Sequence, residues 1–179
     1  MNKTDLNETQ LNKEPILKNN VFIASGARII GNVYLDDNSS IWYNTVLRGD
    51  INLIRIGKRT NIQDNSVIHV ENDQGVIIGN DVTVGHNAII HGCTIEDGAL
   101  IGMGAILMNG CNIGKGSIVG AGSLVKEKTD IPPYSMVVGI PGKIVKALNP
   151  EILTENINWA KKYAKLAKLH IKNANDIRY

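Results

Sequence analysis

From Ile23 to Val137 an aliphatic residue returns every six positions, usually with a small residue four places further on. Ile23, Ile29, Leu35, Ile41 and Leu47 open the series. Three extra residues precede Ile56, Ile62 and Ile68, and four more precede Ile78, Val84 and Ile90. One residue is missing before Ile95, after which the beat runs unbroken through Ile101, Leu107, Ile113, Val119, Val125, Ile131 and Val137. Neither a helical nor an alternating period accounts for such a pattern. A hexapeptide beat predicts a parallel β-helix in which each hexad forms one short side of a triangular coil and three hexads, about 18 residues, complete a turn. The aliphatic side chain points inward, and Gly or Asn tolerates the tight corner.

The beat stops near the C-terminus. Ile131-Pro132-Pro133-Tyr134 and Gly139-Ile140-Pro141-Gly142 interrupt the last coils, as a solenoid end requires. From Glu151 to Ile171, Ile152, Leu153, Ile157, Ala160, Ala164, Ala167 and Ile171 fall near helical spacing, which predicts an amphipathic helix on a flank of the solenoid. The expected organisation is a polar arm over 1–15, the β-helix over 16–149, and a helix with its tail over 150–179.

Composition narrows the class. The 179 residues suffice for one domain, and 18 glycines with a single phenylalanine require a core of Ile, Val, Leu and small residues. A net charge of +2 gives no footprint for nucleic acid. With two cysteines, no apolar start and no long apolar run, neither secretion nor a membrane partner is expected, and a reducing cytoplasm is the default location. Cys93 and Cys111 each lie two places before an inward aliphatic, three hexads apart, and read as buried free thiols in adjacent coils.

The same arithmetic places the histidines. His69 follows Ile68 and His91 follows Ile90, one whole coil later once the insertion at Glu71-Asn72-Asp73-Gln74 loops out. Both therefore point outward in one column, about 4.8 Å apart, where two imidazoles can share an ion at roughly 2.0–2.1 Å. His86 lies one hexad before His91, at another corner, so its own chain cannot bring it to that ion. A neighbouring subunit can, if prism corners meet around a threefold axis. Three histidines with an open fourth position suit a catalytic metal, with Zn²⁺, Co²⁺ and Fe²⁺ equally matched to imidazole. Taken singly, each histidine reads as an ordinary surface residue; two in register in adjacent coils do not. His170, near the end of the helix, is expected to be solvated. Arg48 falls in the column of His69 and His91, with Asp50 near enough to orient it, and Asp64 stands one coil before His86. If the neighbour's His86 meets His69 and His91, its Asp64 comes opposite Arg48 for an ion pair between subunits.

Leu47-Arg48-Gly49-Asp50, Asn61-Ile62-Gln63-Asp64-Asn65-Ser66-Val67-Ile68-His69 and Val84-Gly85-His86-Asn87-Ala88-Ile89-Ile90-His91-Gly92-Cys93 closely resemble the γ-carbonic anhydrase-like branch of the hexapeptide-repeat proteins. The resemblance runs from about Ile16 to the C-terminal helix. It implies a left-handed hand for the β-helix, a homotrimer, and metal sites at the interfaces held by His69, His86 and His91. It also implies that Arg48, Asp50 and Asp64 order the interface, that Asn61 and Gln63 lie near the water bound to the metal, and that Tyr163 is the tyrosine of the family's C-terminal helix. The implied activity is reversible hydration of CO₂ to bicarbonate by hydroxide from a metal-acidified water. Gln63 would orient the hydroxide, Asn61 would help position the substrate, and Glu71 or bulk buffer would carry the proton. The chain departs from the family's best-known members in the loop after His69, which is short and offers Glu71 and Asp73 in place of a longer acidic loop with a glutamate shuttle. A metal-dependent acyl-CoA thioesterase, a metal-binding scaffold with little turnover and a hexapeptide acyltransferase are the rival expectations.

Overall fold

A computed structural model describes residues 8–173; the remainder of the expected arm, 1–7, and of the tail, 174–179, lies outside the described residues. The chain forms a left-handed β-helix of about seven turns with one long helix at its C-terminal end. Its short strands stack in parallel into three faces. One runs from the start of Val46–Ile56 through Val67–His69, Ile89–His91, Ile106–Leu107 and Leu124–Val125. A second runs from the end of Val46–Ile56 through Val76–Ile78, Thr94–Ile95, Asn112–Ile113 and Asp130–Ile131. The third holds Phe22–Ile23, Ser40–Ile41, Asn61–Ile62, Thr83–Val84, Leu100–Ile101, Ile118–Val119 and Ser135–Val138.

The register matches the hexad count. Leu47, Ile68, Ile90, Leu107 and Val125 pair rung to rung, as do Ile41, Ile62, Val84, Ile101, Val119 and Val137. All of these are buried, and the small residues four places on, among them Ser66, Ala88, Ala99, Ala105, Ser117 and Ser123, fill the corners beside them. The beat fails inward only at its start: Ile23 is exposed, because the first coil has a neighbour on one side only.

The chain turns where a residue adopts the left-handed conformation, typically three places after the inward aliphatic. Asn44, Asn65 and Asn87 do so at one corner, then Gly104 and Gly122 above them. Arg59, an unfavourable residue for a positive φ, is held there by a two-pronged contact with Asp81 one coil on, at 2.6 Å for both bonds. The last coil closes with an antiparallel return, Ser135–Val138 against Lys143–Ala147, which caps the parallel stack.

The helix Ile152–Lys172 lies across the third face. Asn156, Ala160 and Ala167 are buried against it, and Asn156 Nδ2 donates to the Gly98 carbonyl at 2.9 Å. The expected stripe is therefore right for Ala160 and Ala167 and wrong for Ile171, which is exposed. His170 corrects the expectation of a solvated residue. It lies three places beyond Ala167 on the packed stripe, with its ring 5.0 Å from Trp42 and its Nδ1 2.9 Å from the Tyr43 hydroxyl. Among the described residues, no helix is long and apolar enough to cross a membrane.

Cys93 and Cys111 are free, buried and in contact. The hydrogen bond between them, together with burial, pushes the Cys93 thiol well above its ordinary value, so it packs as a small apolar group. Cys93→Ala or Cys111→Ala should lower unfolding free energy by about 1 kcal/mol in urea titrations and leave metal content unchanged. Loss of metal without loss of stability would show that these residues are misassigned.

Candidate metal centre

Arg48, His69 and His91 stand directly opposite one another on adjacent strands of the first face, as the hexad arithmetic requires. Outward side chains on neighbouring parallel strands are held side by side. Here they form a continuous chain of contacts. Arg48 donates to Asp50 Oδ2 at 2.5 Å, and Asp50 Oδ1 lies 3.0 Å from His69 Nε2. His69 Nδ1 lies 2.9 Å from His91 Nε2, and His91 Nδ1 lies 2.5 Å from Asn109 Oδ1.

The partners at the two ends decide what lies in the middle. A carboxylate only accepts, so His69 Nε2 carries the proton shared with Asp50. Asn109 turns its Oδ1 to His91, so His91 Nδ1 is the donor there. In neutral rings this leaves two bare nitrogens, His69 Nδ1 and His91 Nε2, facing each other at 2.9 Å. Two lone pairs at that distance repel unless a cation lies between or beside them. Two nitrogens on one tetrahedral ion at 2.0–2.1 Å stand roughly 3.3 Å apart, so the pair needs to part by only a few tenths of an ångström to hold one. The donor set fits a divalent metal on chemistry and geometry alike.

Electrostatics favour the same state. Burial pushes the His69 imidazole below its ordinary value; the Asp50 hydrogen bond opposes this, and the nearby Arg48 charge assists it. Burial would raise the Asp50 carboxyl, but the hydrogen bonds from Arg48 and His69 outweigh it and hold that group below its usual range. Asp50 therefore remains an anion that orients His69, and His69 remains neutral, the form a metal requires.

His86 lies at another corner, after Thr83–Val84 on the third face. Its Nδ1 is 2.7 Å from Asp64 Oδ2, which leaves Nε2 free. Within the single chain, Arg48 turns to Asp50 and Asp64 turns to His86. Among the described residues no three metal-binding side chains of one chain come together. His86 opens instead on a groove of about 420 Å³ shared with Gln63, Met103, Trp159 and Tyr163. Gly85 and Gly102 form part of its floor, where a Cβ would meet the backbone of the next coil at 2.7 and 2.5 Å.

Gln63 and Tyr163, expected at the site, both line this groove. Asn61 does not line the groove and touches it only through the lining residues Thr83 and Gln63: it is fully buried, donates to Thr83 Oγ1 at 2.9 Å and accepts from Gln63 Nε2 at 3.1 Å. Burial, with the Asp64 charge, raises the Tyr163 hydroxyl, which stays a neutral donor. Asn109 was not singled out from the sequence; its place one coil beyond His91 was the available signal, and its role shows only in the side-chain contacts.

Fold and site together define a hexapeptide-repeat β-helix that displays a histidine pair on one face and a third histidine on another. Family models for the bacterial transferase hexapeptide (six repeats) and the hexapeptide repeat of succinyl-transferase match residues 92–127 and 53–92. A probable carbonic anhydrase of Methanocaldococcus jannaschii is 50% identical over 86% of this chain and 96% of its own. Mitochondrial γ carbonic anhydrase 2 of Arabidopsis thaliana is 46% identical over 88% of this chain, which spans 59% of the plant protein's length. The crystal structure of a putative acetyltransferase from Bacillus cereus superposes with a TM-score of 0.86 at 40% identity, covering 89% of this chain and 92% of that one. The chain belongs to the γ-carbonic anhydrase-like family of hexapeptide-repeat proteins.

The lowered imidazole of His69 has a consequence for stability. The unfolded chain takes up this proton near pH 6.5, whereas the folded chain resists it to lower pH. Stability contributed by neutral His69 is therefore complete above about pH 6.5 and lost as pH falls through the folded value. Urea midpoints of metal-free protein should drop between about pH 7.5 and about pH 5 more steeply than those of His69→Gln; equal slopes would contradict the assignment.

Proposed function

We propose that this protein is a metal-dependent carbonic anhydrase that interconverts CO₂ and bicarbonate at centres shared between subunits of a homotrimer. His69 and His91 of one subunit and His86 of the next would hold the ion. The observation that carries this reading is the convergence of His69 Nδ1 and His91 Nε2 at 2.9 Å, with the outer nitrogen of each ring already engaged. A divalent ion there, Zn²⁺ or equally Co²⁺ or Fe²⁺, would supply a water acidified to a pKa of about 7.

The chain's own residues do the rest. Gln63 spends its amide N–H on Asn61, so its carbonyl is available to accept from a nucleophilic water and fix that water's orientation. The groove beside His86 is walled by Leu100, Ile118, Met103 and Trp159, a lining suited to a small apolar molecule such as CO₂. The Tyr163 hydroxyl can donate to an oxygen that gains charge as bicarbonate forms. Asp64 orients His86 as Asp50 orients His69. Support for subunit contact comes from apolar surface on both sides: Val67 and Ile89 are exposed beside the histidine pair, and Met103 beside the groove.

Stopped-flow hydration assays on zinc-, cobalt- and ferrous-loaded protein test the activity; no rate above background with any metal would remove it. A second reading, hydrolysis or transfer of an acyl thioester, draws support from the apolar groove and the acetyltransferase neighbour. Thiol release from a panel of acyl-CoAs distinguishes it, and full metal loading without either activity would identify a scaffold.

The shared centre makes a sharper prediction. His86→Ala should abolish stoichiometric metal binding although His69 and His91 remain in register. Mixing His86→Ala subunits with His69→Ala subunits should restore a fraction of the sites, read by metal analysis after gel filtration. Metal binding of undiminished affinity by a verified monomer would overturn it.

A further inference from the structure

The outer nitrogen of His91 needs a fixed partner as much as that of His69 does, and among the described residues no carboxylate bonds to it directly. Its partner is Asn109 Oδ1, 2.5 Å from Nδ1. An amide can present either end, so by itself Asn109 would not define the ring. The other end settles the matter: Asn109 Nδ2 donates to Glu71 Oε2 at 3.1 Å. A carboxylate accepts only, so it draws the NH₂ end to itself and turns the carbonyl toward His91.

Glu71 is in turn held on all sides. Its Oε1 accepts from the Asn72 backbone N–H at 3.0 Å. Its main chain exchanges two hydrogen bonds with Gln74, at 2.8 and 3.2 Å. Asn52 Nδ2 clamps the Glu71 and Asn72 carbonyls at 3.1 and 3.0 Å. The short loop after His69 thus forms a bracket, with Glu71 at its working end.

We propose that Asn109, oriented by Glu71, is a positioning residue that keeps His91 in the Nδ1–H tautomer and so holds the His69–His91 pair open for a metal. The inference rests on the reading of these histidines as ligands. In the other tautomer, His91 Nε2–H would donate straight to His69 Nδ1, 2.9 Å away, and the pair would satisfy itself with an internal hydrogen bond. Asn109 removes that escape by occupying the proton on the far side of the ring. Each oxygen of Glu71 accepts one hydrogen bond within this bracket, which fixes the direction of its carboxylate.

The test compares wild type, Asn109→Ala, Asn109→Asp and the double variant Glu71→Gln/Asn109→Asp. Two readouts are used: ¹⁵N–¹H spectra of the imidazoles in metal-free protein, and cobalt affinity by chelator competition. Wild type should show His91 as Nδ1–H. Asn109→Ala should shift it to Nε2–H and weaken cobalt binding roughly 10–100-fold, the range for loss of a partner to a metal-ligating histidine. Asn109→Asp alone sets two carboxylates against each other and should also weaken binding. The double variant reverses the donor and acceptor, with the amide now at position 71 and the carboxylate at 109, and should return affinity to within a few-fold of wild type. A purely structural contact would lower melting temperature without moving the tautomer and would not be rescued by reversal. An unchanged His91 tautomer or unchanged cobalt affinity in Asn109→Ala, or a double variant no better than Asn109→Asp, would overturn the proposal. Failure of wild type to bind any metal would instead defeat the proposed function, and the metal-free tautomers would still decide the role of Asn109.

Discussion

Most corners of this chain fall where a residue accepts the left-handed conformation, and such corners recur with the hexad. Asn38, Asn44, Asn65, Asn87, Gly98, Gly104, Gly110, Gly116 and Gly122 all stand there. For an ordinary L-residue this backbone costs roughly 1–2 kcal/mol, which Gly escapes and Asn reduces. Corners at equal spacing give sides of equal length. Equal sides let each coil set its backbone N–H groups against the carbonyls of its neighbour, as Val46 N–Ser66 O and Val67 N–Ala88 O do at 2.9 Å each. Extra residues must then leave the wall as loops or bulges, because any that stayed would move every later side chain off its rung. Those before Ile78 loop out, those before Ile56 bulge within the strand Val46–Ile56, and the rungs on either side remain aligned.

That alignment is what brings two outward imidazoles together as a candidate metal centre. On an outward face, His69 and His91 would ordinarily be two solvated imidazoles. The parallel ladder sets them opposite each other, and acceptors beyond each ring, Asp50 and Asn109, decide which nitrogens face inward. The result is a pair that is unsatisfied in the neutral state. Such a pair is costly in a protein with no use for it. His86 stands apart on another face, so within one chain it does not join the pair.

The groove by His86 is the second feature that the coils shape. Coil stacking needs Gly85 and Gly102 to let backbone approach backbone, and that absence of side chains leaves the space that Trp159 and Tyr163 border from the helix. The helix is placed by Asn156 and by the ring cluster of Phe22, Trp42, Tyr163 and His170. A chain with a single phenylalanine thus concentrates its aromatic packing where the helix meets the solenoid.

The amino-acid sequence by itself determined the solenoid, its rungs, the column of Arg48, His69 and His91, the buried thiols and the helix. Each follows from a periodic steric rule, and counting suffices where a rule repeats. The hand of the coil came from family likeness, since the beat is compatible with either. Only the tertiary structure decided which nitrogen of each imidazole is free, that Asn61 is buried behind Gln63 and Thr83, that His170 belongs to the aromatic cluster, and that Asn109 and Glu71 stand behind His91. These depend on side-chain directions and on donors meeting acceptors between residues far apart in the chain, such as Glu71 and Asn109, and no local period encodes such meetings.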